Sequence, residues 1–312
     1  MEEATGVTGF VDDDRVETTG NIAIVGEGAT LNIQQNLTVG LEGGGSILVL
    51  RDGATVNLDG DAIIGEGVGD NYIYLQRASN TLFNVGGDLV VGKEGGSNRF
   101  AVYGGTANIG GDLMLGSTTN QHDVKNFIHI ETTNAVVNVA DAIYIGASNS
   151  LNTLDIVDGA KVTAQDLYVG MLGGVSSNNA VTVTGTDSRV DIQNGVYLGA
   201  GGNSLTVEND AWLAIGELGT TNLTSSAGGA ISIGNSAGTA LLSANENSTV
   251  EAGYIYLGVA SNHTGSITLS GSNATLSASQ DIVVGVDGSN NTVSIEDGAT
   301  ATGNLVIGLS YG

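Results

Sequence analysis

The 312-residue chain has no cysteine and no proline, and its 8 Lys and Arg face 33 Asp and Glu. Without cysteine there is no disulfide framework, no thiol nucleophile and no cysteine-ligated zinc or iron–sulfur centre. A nucleic-acid binder needs a clustered basic surface to displace phosphate counterions, and a formal net charge of -25 with dispersed bases excludes one. Long apolar runs are missing as well. None approaches the roughly 18 residues of a membrane helix, so no membrane insertion by this segment is expected. The opening stretch MEEATGVTGFVDDD lacks the basic and apolar regions of a signal peptide.

What is abundant is glycine, 50 residues in a chain that is 41% hydrophobic, and a hydrophobic share of that size argues for a folded core. Collagen is excluded by the lack of proline and of a three-residue glycine period. Glycine instead closes a recurring apolar-x-apolar-Gly motif at Gly40, Gly65, Gly92, Gly116, Gly146, Gly170, Gly199, Gly234, Gly258, Gly285 and Gly308. These eleven units run over 268 residues in ten steps, a mean period of about 27.

Each unit holds three short apolar alternations separated by Gly, Asn and Asp turns. One unit reads ILVL at 47–50, RDGA at 51–54, TVNL at 55–58 and AIIG at 62–65. Period-two alternation predicts three strands per unit, each too short to bury a face alone. Stacked unit upon unit, the inward residues form one continuous core. The expected fold is all-β: a parallel β-solenoid, a three-faced, right-handed β-helix of about eleven coils. At about 4.8 Å per coil this makes a rod on the order of 50 Å long. Residues 1–20 are expected to form a lead-in or cap, and residues 21–312 a single solenoid domain. The final LVIGLSYG stops just beyond a repeat strand, so the chain reads as a fragment of a longer protein or a subunit with open ends.

Counting back from each terminal glycine gives columns. Residues three and one before it, such as Leu37 and Val39 or Leu305 and Ile307, are expected to face inward. The position between them faces outward and includes Ile64, Val90, Met114, Tyr144, Tyr168, Tyr197, Ser232, Tyr256 and Val283. Within it Tyr144, Tyr168, Tyr197, Tyr256 and Met114 form a candidate interaction stripe, with ordinary cross-strand stacking as the alternative. Eight residues before the glycine, Asn32, Asn57, Asn84, Asn108 and Asn138 form an unbroken structural ladder, continued more loosely by Asp191, Ser277 and Thr300. Four residues before it stand Asn36, Asp61, Asp88, Asp112, Asp166, Asp281 and Asn304. Such residues cap turns, but carboxylates one coil apart also repel unless bridged, so Asp61, Asp88, Asp112, Asp166 and Asp281 are a candidate calcium edge.

Catalytic constellations are not legible. The bases Arg15, Arg51, Arg77, Lys93, Arg99, Lys125, Lys161 and Arg189 are scattered, and an anionic sugar would be repelled by the acidic surface. His122, His129 and His263 lack metal-ligand spacing, although His122 and His129 flank one loop in which a metal pair is conceivable. EGGGS at 42–46 and KEGGS at 93–97 lack the Gly-Lys-Ser/Thr ending of a phosphate loop. Trp212, the single tryptophan, precedes the insertion ELGTTNLTSSAGG. It either packs a coil corner or belongs to a binding loop. No enzyme and no cofactor beyond calcium is expected.

Passages such as NAVTVTGTDSRVDIQNGVYLGAGGNSLTVENDAWLAIG and NNTVSIEDGATATGNLVIG resemble the repeats of bacterial autotransporter passenger domains and of large repetitive surface adhesins. The resemblance covers nearly the whole chain from Ile22 to Gly308. It implies export and an extracellular or cell-surface location. It also implies a stalk or adhesive role toward a host or neighbour-cell ligand, and it carries over no catalytic residue. The alternative is a self-associating filament, matrix or surface-layer subunit that stacks through its coil ends.

Overall fold

Strands of three to five residues leave two backbone edges in need of hydrogen-bond partners, and here the partners lie one coil away. The computed structural model describes residues 20–67, 69–76, 80–117, 125–148, 150–170, 176–199, 201–216, 229–234, 238–261 and 263–308. Among them there is no helix. Strand pairs run parallel throughout, for example Ile22–Val25 on Ile47–Leu50 and those in turn on Tyr72–Leu75. The first face is a sheet of eleven strands, from Ile22–Val25 to Thr292–Ile295, which amounts to about ten turns. The expected all-β parallel β-solenoid is therefore the fold observed.

The second and third faces are linked into one sheet of 18 strands. In the early coils they are separate, as in Thr55–Leu58 and Ala62–Ile64. In later coils one strand runs through both, as in Lys161–Val169, Arg189–Leu198, Thr275–Val284 and Thr300–Ile307. Where one strand runs through, the pairing register shifts within the corner, between Ala164 and Asp166 and between Ser277 and Asp281. The expected three strands per unit holds wherever the two faces stay separate, including the later coils with Trp212–Ile215 and Ala230–Ile233 and with Thr249–Ala252 and Tyr254–Leu257.

Alternation places Leu50, Ile64, Ile73, Leu75, Leu89, Val91, Leu113 and Leu115 fully inside, in one core that continues along the stack. Each such aliphatic side chain contributes about 1.5–3 kcal/mol on burial, which is what holds strands this short in place. Four expected positions need correction. Ile64 is an inward residue at 0% exposure, and Ile63, in register with Thr38 and Val90, takes the outward position. Val283 is likewise covered, at 4%. Leu305 and Ile307 continue the inward columns of Ile282 and Val284 yet are 60% and 74% exposed, because they lie in the last described coil.

Candidate functional site

Amide side chains stack one coil apart, so a carboxamide that recurs in register can bond to the coils on both sides of it. On the outer surface Asn57, Asn84, Asn108 and Asn138 each donate from Nδ2 to the Oδ1 of the preceding member, beginning at Asn32, over 2.8–2.9 Å. Thr163 extends the row through its hydroxyl to Asn138 at 3.0 Å. This is the ladder expected from the sequence. Farther along, Asp191, Ala214, Glu251, Ser277 and Thr302 occupy the column. Thr302 stands where Thr300 was expected, because the shift between Ser277 and Asp281 moves the register by two residues.

A second ladder, inside the wall, was not anticipated. Asn71, Asn98, Asn126, Asn152, Asn179 and Asn203 are all at 0% exposure. In this row the backbone N–H and the Nδ2 of each residue both donate to the Oδ1 of the next, as from Asn98 to Asn126 at 3.1 and 3.2 Å and from Asn152 to Asn179 at 3.0 and 2.9 Å. Its signal was an asparagine directly before the first alternation of a unit, as in NYIY, NRFA, NFIH and NAVT. The motif-closing glycines are explained by the same row. Gly92 has φ 75°, and a Cβ there would overlap the Asn126 carboxamide; Gly65 stands in the same relation to Asn98 and Gly170 to Asn203. Both ladders hold coils in register, and neither presents reactive chemistry.

The acidic column splits. Asp61, Asp88 and Asp112 lie in consecutive coils, and each accepts from the backbone of the next one: Asp88 N–H on Asp61 at 2.9 Å, Asp112 N–H on Asp88 at 2.8 Å, Ala142 N–H on Asp112 at 2.9 Å. Burial, with Asp88 and Asp141 adding to it, pushes the Asp112 carboxyl above the ordinary range, against the Ala142 N–H that lowers it. Asp166 is separated from Asp112 by Ala142 in the column, and Asp281 pairs farther along with Asn304. Among the described residues no three His, Asp or Glu side chains converge as a metal site requires. Turn capping accounts for the contacts that Asp61, Asp88 and Asp112 make.

The tyrosine stripe is a ring stack. Tyr144 and Tyr168 lie 4.9 Å apart at 8° between planes, and Tyr168 and Tyr197 lie 4.7 Å apart at 11°. These separations equal the coil spacing, so the sheet itself sets the stacking distance. Met114 precedes Tyr144 in register, whereas Tyr256 is cut off from Tyr197 by Ser232. Burial, helped by Asp166 and the neighbouring tyrosines, pushes the Tyr168 phenol up to about 12. Ultraviolet titration of wild type against Tyr168→Phe is expected to assign the late-ionising phenol to Tyr168. The unfolded chain releases that proton near the ordinary value of 10.0, so stability is expected to fall as pH rises from there through about 12.

A different cluster occupies the first face. Tyr72 and Tyr74, two residues apart on one strand, stack at 5.6 Å and 8°. In the next two coils Ala101 and His129 follow Tyr74 in register, and Ala101 leaves a gap. Tyr103 fills it from the strand end, its ring 6.4 Å from Tyr74 and 5.7 Å from His129. Arg99 donates to the Tyr103 hydroxyl at 3.0 Å. His129 lies 3.3 Å from Glu131 through Nε2 and 4.0 Å from Asp155 through Nδ1. Burial raises the Asp155 carboxyl, opposed by His129, a hydrogen bond from Thr182 and Arg99, and burial also raises the Tyr74 phenol. The column count from the terminal glycine missed these residues because they belong to the first alternation of their units. Of the two histidines expected near one loop, His129 lies in this cluster and His122 lies outside the described residues.

Trp212 opens its strand just after the turn at 209–210. It projects half-buried from the second-face strand Trp212–Ile215, with the Arg189 guanidinium 4.8 Å above its ring. The Nε of Arg189 donates to both oxygens of Asp191 at 2.8 Å. Glu251, on the far side of Ala214 from Asp191, is raised by burial and lowered by Arg189. The insertion at 217–228 lies outside the described residues. Comparison with models of protein families, with curated proteins and with solved structures finds no match to this chain.

Proposed function

We propose that the chain is a non-enzymatic extracellular β-solenoid, a stalk or adhesive region of a surface-displayed or secreted bacterial protein. The observation that carries this reading is the way the polar side chains are spent. The two asparagine ladders and the aspartate caps bond coil to coil. What remains facing outward on the first and third faces is a rigid set of aromatic and charged side chains suited to contact rather than to turnover. The resemblance of the repeats to autotransporter passengers and surface adhesins points the same way, and the charge of -25 favours solubility of an isolated rod.

A second reading, a self-assembling filament or matrix subunit, is favoured by the outermost described coils. Ile22 and Ile24 are 65% and 48% exposed at one end, and Leu305 and Ile307 at the other are more than half exposed. Electron microscopy of the purified chain separates the two: isolated short rods are expected, and regular filaments would establish the second reading in place of the first. Release of products from a panel of polysaccharides would overturn both.

A further inference from the structure

We propose that the first-face cluster of Tyr72, Tyr74, Tyr103, Arg99, His129 and Asp155 is a binding platform for a neutral glycan. The inference deepens the adhesive reading and rests on it.

Three features of the cluster lead there. The rings of Tyr72, Tyr74 and Tyr103 are arranged as a continuous apolar surface over three coils, with His129 as its fourth ring. Elsewhere on the chain the Tyr144–Tyr168–Tyr197 stack spends ring faces on neighbours one coil away, whereas Tyr103 leans across the gap above Ala101 with planes tilted 26° to Tyr74 and 56° to His129. Tilted rings present part of their faces outward, where the C–H face of a sugar can rest. The polar groups bordering the rings carry both signs. Arg99 supplies donors, Asp155 and Glu131 supply acceptors, and His129 stands between the two carboxylates. Pyranose hydroxyls take one donor and one acceptor each, and planar guanidinium and carboxylate groups match them in pairs.

Charge selects among ligands. The chain as a whole, at -25, repels an anionic polysaccharide. A cationic ligand, although drawn by the chain's net charge, meets the Arg99 guanidinium next to the ring it would need to cover. A neutral glycan meets neither obstacle, and successive sugars of an extended chain can follow the coil spacing of about 4.8 Å. The Tyr103 side chain is fixed in advance by its bond to Arg99, so little ordering is needed on binding.

The test is calorimetric titration of the full chain with neutral hexasaccharides of glucose, mannose, galactose and N-acetylglucosamine, with hexagalacturonate and hexalysine as charged controls. At least one neutral hexasaccharide is expected to bind. Tyr74→Ala and Tyr103→Ala are each expected to weaken it about tenfold, while Tyr168→Ala on the third face leaves it unchanged. If either alanine variant does not fold, as judged by its circular dichroism, Tyr74→Leu and Arg99→Gln carry the same expectation. The proposal is overturned if no neutral sugar binds up to about 10 mM, if a charged control binds more tightly than every neutral one, or if Tyr168→Ala weakens binding as much as the first-face variants. Hydrolysis of a bound hexasaccharide would overturn the non-enzymatic reading and leave the platform standing. Attachment of the chain to cell surfaces without sugar binding would do the reverse.

Discussion

Asn126→Ala is expected to destabilise the protein by about 3–6 kcal/mol, measured as a fall in the urea midpoint at unchanged slope. The Asn126 Oδ1 is the acceptor for both the backbone N–H and the Nδ2 of Asn98, and its own Nδ2 donates to Asn152. All three residues are at 0% exposure, so water cannot stand in for the lost group. The substitution strands the buried backbone N–H of Asn98, leaves the Asn98 Nδ2 with the Gly95 carbonyl alone, and removes one of the donors to the Asn152 Oδ1, and each unmet group costs about 1–3 kcal/mol. Asn57→Ala provides the comparison. It removes a carboxamide of the same kind with bonds of 2.8 Å on either side, but in a row open to solvent. Water replaces those bonds, and the expected loss is about 1 kcal/mol. Equal losses at the two positions would mean that burial does not decide the strength of the ladder.

Gly92→Ala is expected to be as damaging although it adds a single methyl group. Two costs combine. At φ 75° the backbone lies in the left-handed region, which for an alanine costs about 1–2 kcal/mol. The new Cβ would also overlap the Asn126 carboxamide, which is bonded to both neighbours and cannot withdraw without breaking the ladder. A total loss of about 3–5 kcal/mol is expected. Because one side chain is implicated in both losses, the effects should not add. In the double variant Gly92→Ala with Asn126→Ala the overlap is gone, and the combined loss is expected to fall short of the sum by about 1–3 kcal/mol. Strict additivity would mean that Gly92 is required for its φ alone.

The fold was legible because a solenoid repeats its signal. Alternation such as TVNL at 55–58, followed by AIIG at 62–65, specifies strand, face and corner locally, and the same pattern recurring about every 27 residues specifies the partner. Counting from the terminal glycine worked where corners kept their length, as at Asn32, Asn57, Asn84, Asn108 and Asn138. It failed where a corner changed length, which moved Thr302 into the place assigned to Thr300. The first-face cluster escaped for a related reason. Tyr103 follows its strand and pairs with nothing in the repeat pattern. Only the small Ala101 beneath it, in register with Tyr74 and His129, makes room for its ring. Whether an outward ring touches its neighbour depends on side chains in the coils on either side, and no local pattern records that.

The sequence by itself determined the parallel solenoid and the outer asparagine ladder, because each follows from residue type and spacing along the chain. The tertiary structure alone decided three things. It placed the buried ladder of Asn71 to Asn203 behind the motif-closing glycines, which explains why those positions exclude a Cβ. It moved Thr302 into the ladder place that the count gave to Thr300. It also gathered Tyr72, Tyr74, Tyr103 and His129 on one face. The physical reason is common to all three. Period and polarity fix which way a residue points, but a contact also requires that the coils above and below leave space for it and supply its partner, and that is settled only when the coils stack.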